Sequence, residues 1–289
     1  MTPLALSSIL ISRMKRFLKP FLFLLCFVII AEFCKEQTGR FTLLRISSKL
    51  TPQPEWETAP LSQEEKNQIK RILNQPYSYL NRGVQSFVFA SEDGQYVIKF
   101  FRHDHLDSPF WLTQSQKAKK EIQRHKEFLS YKLAYQNFPD ETGLVFLHLN
   151  KTKDLNHTLD LVDKLNIHHP LSLDNYEFLI QKRASLLYTA LNQMIEENRI
   201  SDAKETLSKL VQLLVKRAEA GIADKDPDLI TNFGVIGIDP IQIDVGRFSP
   251  SSTPFDKDEI IRITDGLSHY LITRCPELEH HLKTQIDHL

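Results

Sequence analysis

The stretch 86-SFVFASEDGQYVIKFF-101 constrains the chain most. Two runs rich in β-branched and aromatic residues flank Glu92–Gln95, and Asp93–Gly94 is a pair that closes β-hairpins. The second run carries Lys99 among apolar neighbours. A lysine there costs desolvation unless it meets an anionic partner or points to solvent from an edge strand. Both readings stand at this level.

The rest of the chain falls into place around that hairpin. Ser62 and Glu65 have capping-box spacing and open a short helix through Lys66–Gln75. Leu112 to about Phe138 reads as one long charged helix, with Ile122, Leu129 and Leu133 as its apolar stripe. Strands are expected at 143–150, 158–165 and 176–184. Amphipathic helices follow at Leu186–Glu196 and Ser201–Ala218. A strand pair at 233–237 and 241–245 precedes two closing helices, about Asp256–Arg274 and Pro276–His288. The expected architecture is α+β: a small antiparallel sheet with one long helix, then a mainly helical half, with a cleft between the two lobes. The expected divisions are an N-terminal segment 1–35, a Pro-containing linker 36–60, a first lobe 61–184 and a reduced helical second lobe 185–289.

Composition narrows the function classes. Lysine and arginine number 36 and so do aspartate and glutamate. That balance gives no support for a nucleic-acid binder driven by a basic surface. Cys26, Cys34 and Cys275 are the three cysteines, too few for a disulfide framework in the main body. The paired histidines His168–His169 and His280–His281, with His103 and His105, show no zinc spacing and read as surface or capping residues. No P-loop and no G-x-S-x-G occurs.

The N-terminus combines basic residues with the apolar run Phe21–Ala31. Extended to Phe17–Cys34 it reaches spanning length but takes in Lys19, Pro20 and Glu32. Ile29 two places before Ala31 makes a poor cleavage site, so the segment is expected to be an uncleaved membrane helix. Met14 is an alternative start. Flanking lysines and arginines balance, four against four, so orientation stays open.

Four features bear on chemistry: Gly83 ahead of the hairpin, Lys99, the loop 221-GIADKDPDLITNFG-234, and 241-IQIDVGRF-248 with Asp244 and Gly246. Taken singly, the aspartates are also ordinary turn residues. Taken together, over about residues 77–248, the chain resembles the protein-kinase-like superfamily. There 97-VIK-99 stands for V-A-I-K, 226-DPDLITN-232 for the catalytic loop and 244-DVG-246 for D-F-G. The resemblance implies ATP and Mg²⁺ as cofactors. Gly83 and Lys99 would contact nucleotide phosphates, and Glu121 (or Glu127) on the long helix would pair with Lys99. Asn232 and Asp244 would hold the metal, and Asp226 would orient or deprotonate the attacking hydroxyl. Gly246 would let the chain turn sharply.

The departures point to a minimal, divergent member. Ser86 stands where a second small loop residue is usual. Ala223, Asp224 and Lys225 precede Asp226 in place of H-R, and Asn232 comes six residues after Asp226 rather than five. Asp224 offers an alternative register. No A-P-E segment follows Asp244. The resemblance is closer to small-molecule or lipopolysaccharide-type kinases than to typical protein kinases. The expected function is a membrane-anchored phosphotransferase acting on a small molecule, glycan or protein, its domain on the cytoplasmic face if active. The alternative is a pseudokinase that binds without transfer.

Overall fold

The computed structural model describes residues 3–103, 113–251 and 256–289, with side chains from residue 18 onward. His105 and the expected helix start at Leu112 lie outside the described residues. Helix α1 runs Pro3–Gln37, followed by a single turn α2, Leu43–Ile46. Helix α3, Gln63–Leu73, starts at a complete capping box: Ser62 N donates to Glu65 Oε2 at 2.7 Å and Glu65 N to Ser62 Oγ at 3.2 Å. Strands β1 (Tyr77–Arg82), β2 (Ser86–Ser91) and β3 (Tyr96–Phe101) form a meander. Gly94 closes the β2–β3 turn at φ 70°, a left-handed conformation that favours glycine.

Helix α4, Gln114–Asn137, and the turn α5, Pro139–Thr142, lead into β4 (Leu144–His148), β5 (Thr158–Val162), β6 (His168–Ser172) and β7 (Phe178–Lys182). The sheet order is β4-β7-β3-β2-β1-β5-β6. Its pairs are antiparallel except β1–β5, where Tyr77 lies opposite Leu161 in a parallel register. The expected small antiparallel sheet is therefore a seven-stranded mixed one. The extra edge is the β5–β6 hairpin. The sequence hides β6 because 168-HHPLS-172 does not alternate and contains proline, which strands tolerate at an edge. His168 and His169 lie on that edge, each 2.9 Å from an aspartate, Asp160 and Asp163.

The second half holds β8 (Ser185–Leu186), α6 (Leu187–Glu196), α7 (Ile200–Glu219), β9 (Ile222–Asp224), β10 (Phe233–Ile236), β11 (Asp239–Gln242), β12 (Phe248–Pro250), α8 (Lys257–Arg274) and α9 (Pro276–Asp287). Small ribbons β8–β10–β11 and β9–β12 bridge the sheet and the helices.

Strand alternation sorts the sheet's side chains into two cores. Phe87, Phe89, Ile98 and Phe100 face α3 with Phe41 and Ile46. Phe101, Leu147 and Leu179 face α4, where Phe128 and Tyr131 meet Val245 and Phe248. A third core joins α6 to α9 through Leu191, Leu207, Leu210, Leu267 and Leu282. Each fully buried side chain of this size contributes about 1.5–3 kcal/mol.

Of the N-terminal expectations, the membrane span Phe17–Cys34 begins outside the residues whose side chains are described and stays open, while the linker 36–60 needs correction. Among the described residues no helix is long and apolar enough to cross a membrane. Lys19, Pro20 and Glu32 bound the apolar run of α1 short of the roughly 20 residues a span requires. What α1 does show is unpartnered apolar surface: Phe21, Phe23, Phe27 and Phe33 are all exposed, Phe23 at 77%. The segment 36–60 is not a free linker. Phe41 packs edge-on against Phe87 and Phe89, Ile46 is fully buried, and Trp56 sits edge-on against Phe128 on α4. Its prolines restrict the backbone without preventing these aromatic anchors from docking.

Candidate functional site

A cleft of about 620 Å³ opens between the sheet and the ribbons below it. Val88 and Val97 line its upper wall, Leu186 and Ile243 its lower one, and residues 181–184 its back. Gly83, Lys99, Asp226, Asn232 and Asp244 all line this one cavity.

Lys99 is not an edge-strand lysine. Strand β3 is central, with Val88 opposite Lys99 on one side and Leu179 on the other. Alternation sends Lys99 to the cleft face and Phe100 to the opposite core. Its Nζ donates to the carbonyl of Ile243 at 2.7 Å. Burial lowers its pKa, and the nearby Asp244 carboxylate opposes that shift.

Helix α4 buries a different face from the one its apolar residues suggest. Ile122 and Leu129 are exposed, whereas Arg124, Glu127, Phe128, Tyr131 and Ala134 are buried. Glu121 is exposed, on the part of the helix that precedes its buried face. Glu127 takes the inward position instead. It pairs with Arg124 at 2.6 Å, and the Arg124 guanidinium also lies over the Phe101 and Phe128 rings. Burial pushes the Glu127 carboxyl up to about 7 against the pull of Arg124, and Asp244 adds to the rise.

The same face grips the segment after β11. Tyr131 Oη donates to Asp244 Oδ1 at 3.3 Å, and Gly246 N donates to that oxygen at 3.1 Å. Ser130 Oγ donates to the Val245 carbonyl and accepts from Phe248 N at 2.6 Å. Val245 is fully buried between α4 and the sheet. Asp244 is thus aimed into the cleft by the burial of its neighbour.

The loop after β9 divides its aspartates by role. Asp224 is buried, 3.5 Å from Arg217 Nη1, and accepts from Gln242. Burial raises its pKa despite the backbone N–H of Asp226, the Arg217 charge and the Gln242 amide. Its oxygens serve the fold: one accepts from Asp226 N at 2.9 Å. Asp226 opens to the cleft, with Arg247 Nε 3.5 Å from its carboxylate. Asn232 Nδ2 donates to the Asp226 carbonyl at 2.7 Å, and the Asn232 carbonyl accepts from Ile243 N at 2.8 Å and Asp244 N at 3.3 Å. Asn232 therefore locks the 226 loop to the 243–244 segment, which absorbs the sixth residue of the interval.

Gly83 N donates to Ser86 O at 2.9 Å in the β1–β2 turn, and a Cβ there would meet nothing closer than 3.6 Å. Glycine is not sterically demanded at 83. At Gly246 the backbone is not left-handed, and the close neighbour is the far end of the flexible Gln85 side chain. A Cβ there would lie 2.5 Å from Gln85 Oε1. Gln85, Ser130, Tyr131 and Arg247 all contact the site and carry no local sequence signal. Their partners are more than a hundred residues away (Ser130 with Val245, Tyr131 with Asp244) or depend on how two loops meet.

The arrangement offers a buried cation, hard oxygens from Asp244 and Asn232, and an accessible carboxylate at Asp226. Those groups can bind dense negative charge, hold a hard divalent cation and accept a proton.

No family model matches the chain, and no curated protein matches it. Similar solved structures include WbdD, with a TM-score of 0.38 at 15% identity over 72% of this chain and 45% of that one. A second structure of WbdD, described as a bifunctional kinase-methyltransferase, gives 0.35 at 16% identity over 70% and 42%. Rv3197 of Mycobacterium tuberculosis with erythromycin gives 0.32 at 14% identity over 94% and 74%. The chain spans less than half the length of the WbdD chains it matches. Likenesses at these scores are too distant to assign an activity.

Proposed function

We propose that the chain is an ATP- and Mg²⁺-dependent phosphotransferase with a divergent protein-kinase-like architecture. One observation carries the reading: Lys99 from a central strand and Asp226, Asn232 and Asp244 from two loops of the other half line the same cleft. Four polar residues from distant parts of the chain converge there, and their chemical types suit the roles that phosphoryl transfer requires.

The residues fit a bound divalent cation. Asp244 and Asn232 present hard oxygens, and Gln85 Oε1 beside them is a buried acceptor with no hydrogen-bond donor among the described residues. Mg²⁺ bound there would neutralise phosphate charge. Lys99 would hold phosphate oxygens, exchanging its carbonyl partner for an anionic one. Asp226, freed from Arg247, would accept the proton of the acceptor hydroxyl as its oxygen takes the terminal phosphoryl group and ADP leaves. Val88, Val97, Leu186 and Ile243 would enclose the base. We further place the chain at a membrane surface through α1, whose exposed phenylalanines support it, on the side that holds ATP.

The test is binding of a non-hydrolysable ATP analogue with Mg²⁺ to the full chain. Lys99→Ala and Asp244→Ala should each weaken binding at least about tenfold, roughly 1.4 kcal/mol. Unchanged binding in both variants overturns the reading. A second reading, nucleotide binding without transfer, is favoured by Glu127 pairing with Arg124 rather than Lys99. Binding with no ATP turnover against any alcohol acceptor would select it.

A further inference from the structure

Gln85 is the last residue of the β1–β2 connection, and its main chain is fixed there. Its carbonyl accepts from Arg102 N at 2.8 Å, extending the β2–β3 ladder by one bond. The residue is half-buried, and its Oε1 reaches the cleft floor beside residue 246. From the position a Cβ at residue 246 would occupy, Gln85 Oε1 is 2.5 Å away and Asp244 Oδ1 is 3.4 Å away. The two oxygens therefore flank one point on the cleft floor.

Their situations differ. Asp244 Oδ1 accepts from Gly246 N and Tyr131 Oη, at 3.1 and 3.3 Å. Gln85 Oε1 is buried and accepts from nothing among the described residues. An unsatisfied buried acceptor costs about 1–3 kcal/mol. Native structures keep such a group where a strained or ligand-dependent role explains it. A cation held by the neighbouring carboxylate would satisfy this oxygen.

We propose that Gln85 Oε1 is a ligand of the divalent cation that Asp244 holds, so that the β1–β2 loop closes on the metal as well as on phosphates. The inference rests on the phosphotransferase reading above and deepens it. Mg²⁺ takes about six oxygens at roughly 2.0–2.1 Å and retains water where the protein supplies few. A neutral carboxamide adds a hard oxygen without adding negative charge beside Asp244 and the phosphates. It also gives Gly246 a reason: a side chain there would stand between the two ligands.

The experiment measures Mn²⁺ binding to the full chain in the presence of a non-hydrolysable ATP analogue, by electron paramagnetic resonance of the free ion. Loss of even an outer partner of a metal ligand weakens binding about 10–100-fold. Gln85→Ala should therefore weaken Mn²⁺ by about tenfold or more, and Gln85→Glu should bind it as tightly as wild type or tighter. Wild-type Mn²⁺ affinity in Gln85→Ala overturns the proposal. So does loss of analogue binding in Gln85→Glu, which would mean that the amide donates to a phosphate. Asp244→Ala separates the two levels. If it loses Mn²⁺ while Gln85→Ala does not, only the Gln85 proposal falls. If wild type and Asp244→Ala bind Mn²⁺ equally, the phosphotransferase reading falls with it.

Discussion

Lys99 Nζ donates to the carbonyl of Ile243 at 2.7 Å, one residue ahead of Asp244. The bond ties the central strand of the sheet to the loop that carries the carboxylate, 144 residues later in the chain. Among the described residues no carboxylate pairs directly with this ammonium, and burial depresses its pKa. A cation held by one carbonyl is ready to exchange that partner for a phosphate.

Lys99→Met tests the exchange by keeping length and removing charge. Nucleotide affinity is expected to fall at least about tenfold. The stability of the free protein should change less, because the variant also removes a desolvation penalty. A lysine with a lowered folded pKa binds fewer protons than the unfolded chain between that value and about 10.4, so wild-type stability should rise with pH across that window. Urea denaturation at stepped pH should show that slope in wild type and a reduced one in Lys99→Met.

Asp224 and Asp226 are two residues apart and should separate cleanly. Asp224→Ala leaves buried Arg217 without its carboxylate and should destabilise the fold by about 3–5 kcal/mol. Asp226→Ala removes a cleft-facing group whose ion pair with Arg247 is exposed, and should shift stability by less than about 1 kcal/mol. Thermal unfolding of the two variants, with phosphotransfer measured on the folded one, checks both halves.

Glu127 gives a pH dependence of opposite sign. Its folded pKa, near 7, lies above the ordinary carboxylate value. The native state therefore binds more protons between about 4.3 and 7, and stability falls as pH rises through that window. At about 1.4 kcal/mol for each pH unit of the window, the loss is a few kcal/mol at most. Glu127→Gln should flatten the profile, and denaturant midpoints at pH 5 and pH 8 would show it.

Ser130 couples the long helix to the segment that aims Asp244. Ser130→Ala leaves the Val245 carbonyl and the Phe248 N–H with only their mutual 3.3 Å bond, which should cost about 1 kcal/mol. Nucleotide binding should weaken as well, because Asp244 then loses part of its support. A stability loss with unchanged nucleotide affinity would show that the coupling serves the fold alone.

The sequence by itself determined the local elements and the identity of the cleft residues. The capping box at Ser62, the Asp93–Gly94 turn and the helices of the second half follow from short-range patterns, because caps, turns and amphipathic faces are set by residues within a few positions of one another. Lys99, Asn232 and Asp244 stand out as polar groups in or beside apolar runs, Asp226 is marked only by the family resemblance, and the structure brings all four to one cavity.

Only the tertiary structure decided which neighbours those groups have. The apolar residues of α4 pointed to the Ile122–Leu129 face, yet the helix buries Arg124, Glu127 and Tyr131, because the surface it meets holds Asp244 and aromatic rings rather than plain hydrocarbon. That is why Glu121 was favoured from the sequence and Glu127 lies inside. Asp224 and Asp226 are equivalent as letters and both line the cleft, but Arg217 on α7 and Gln242 on β11 hold the first, which is buried, while the second is exposed. The parallel β1–β5 pairing and the reach of Gln85 to Gly246 belong to the same class. They are contacts between distant segments, and their energies depend on burial and partners that no local pattern encodes.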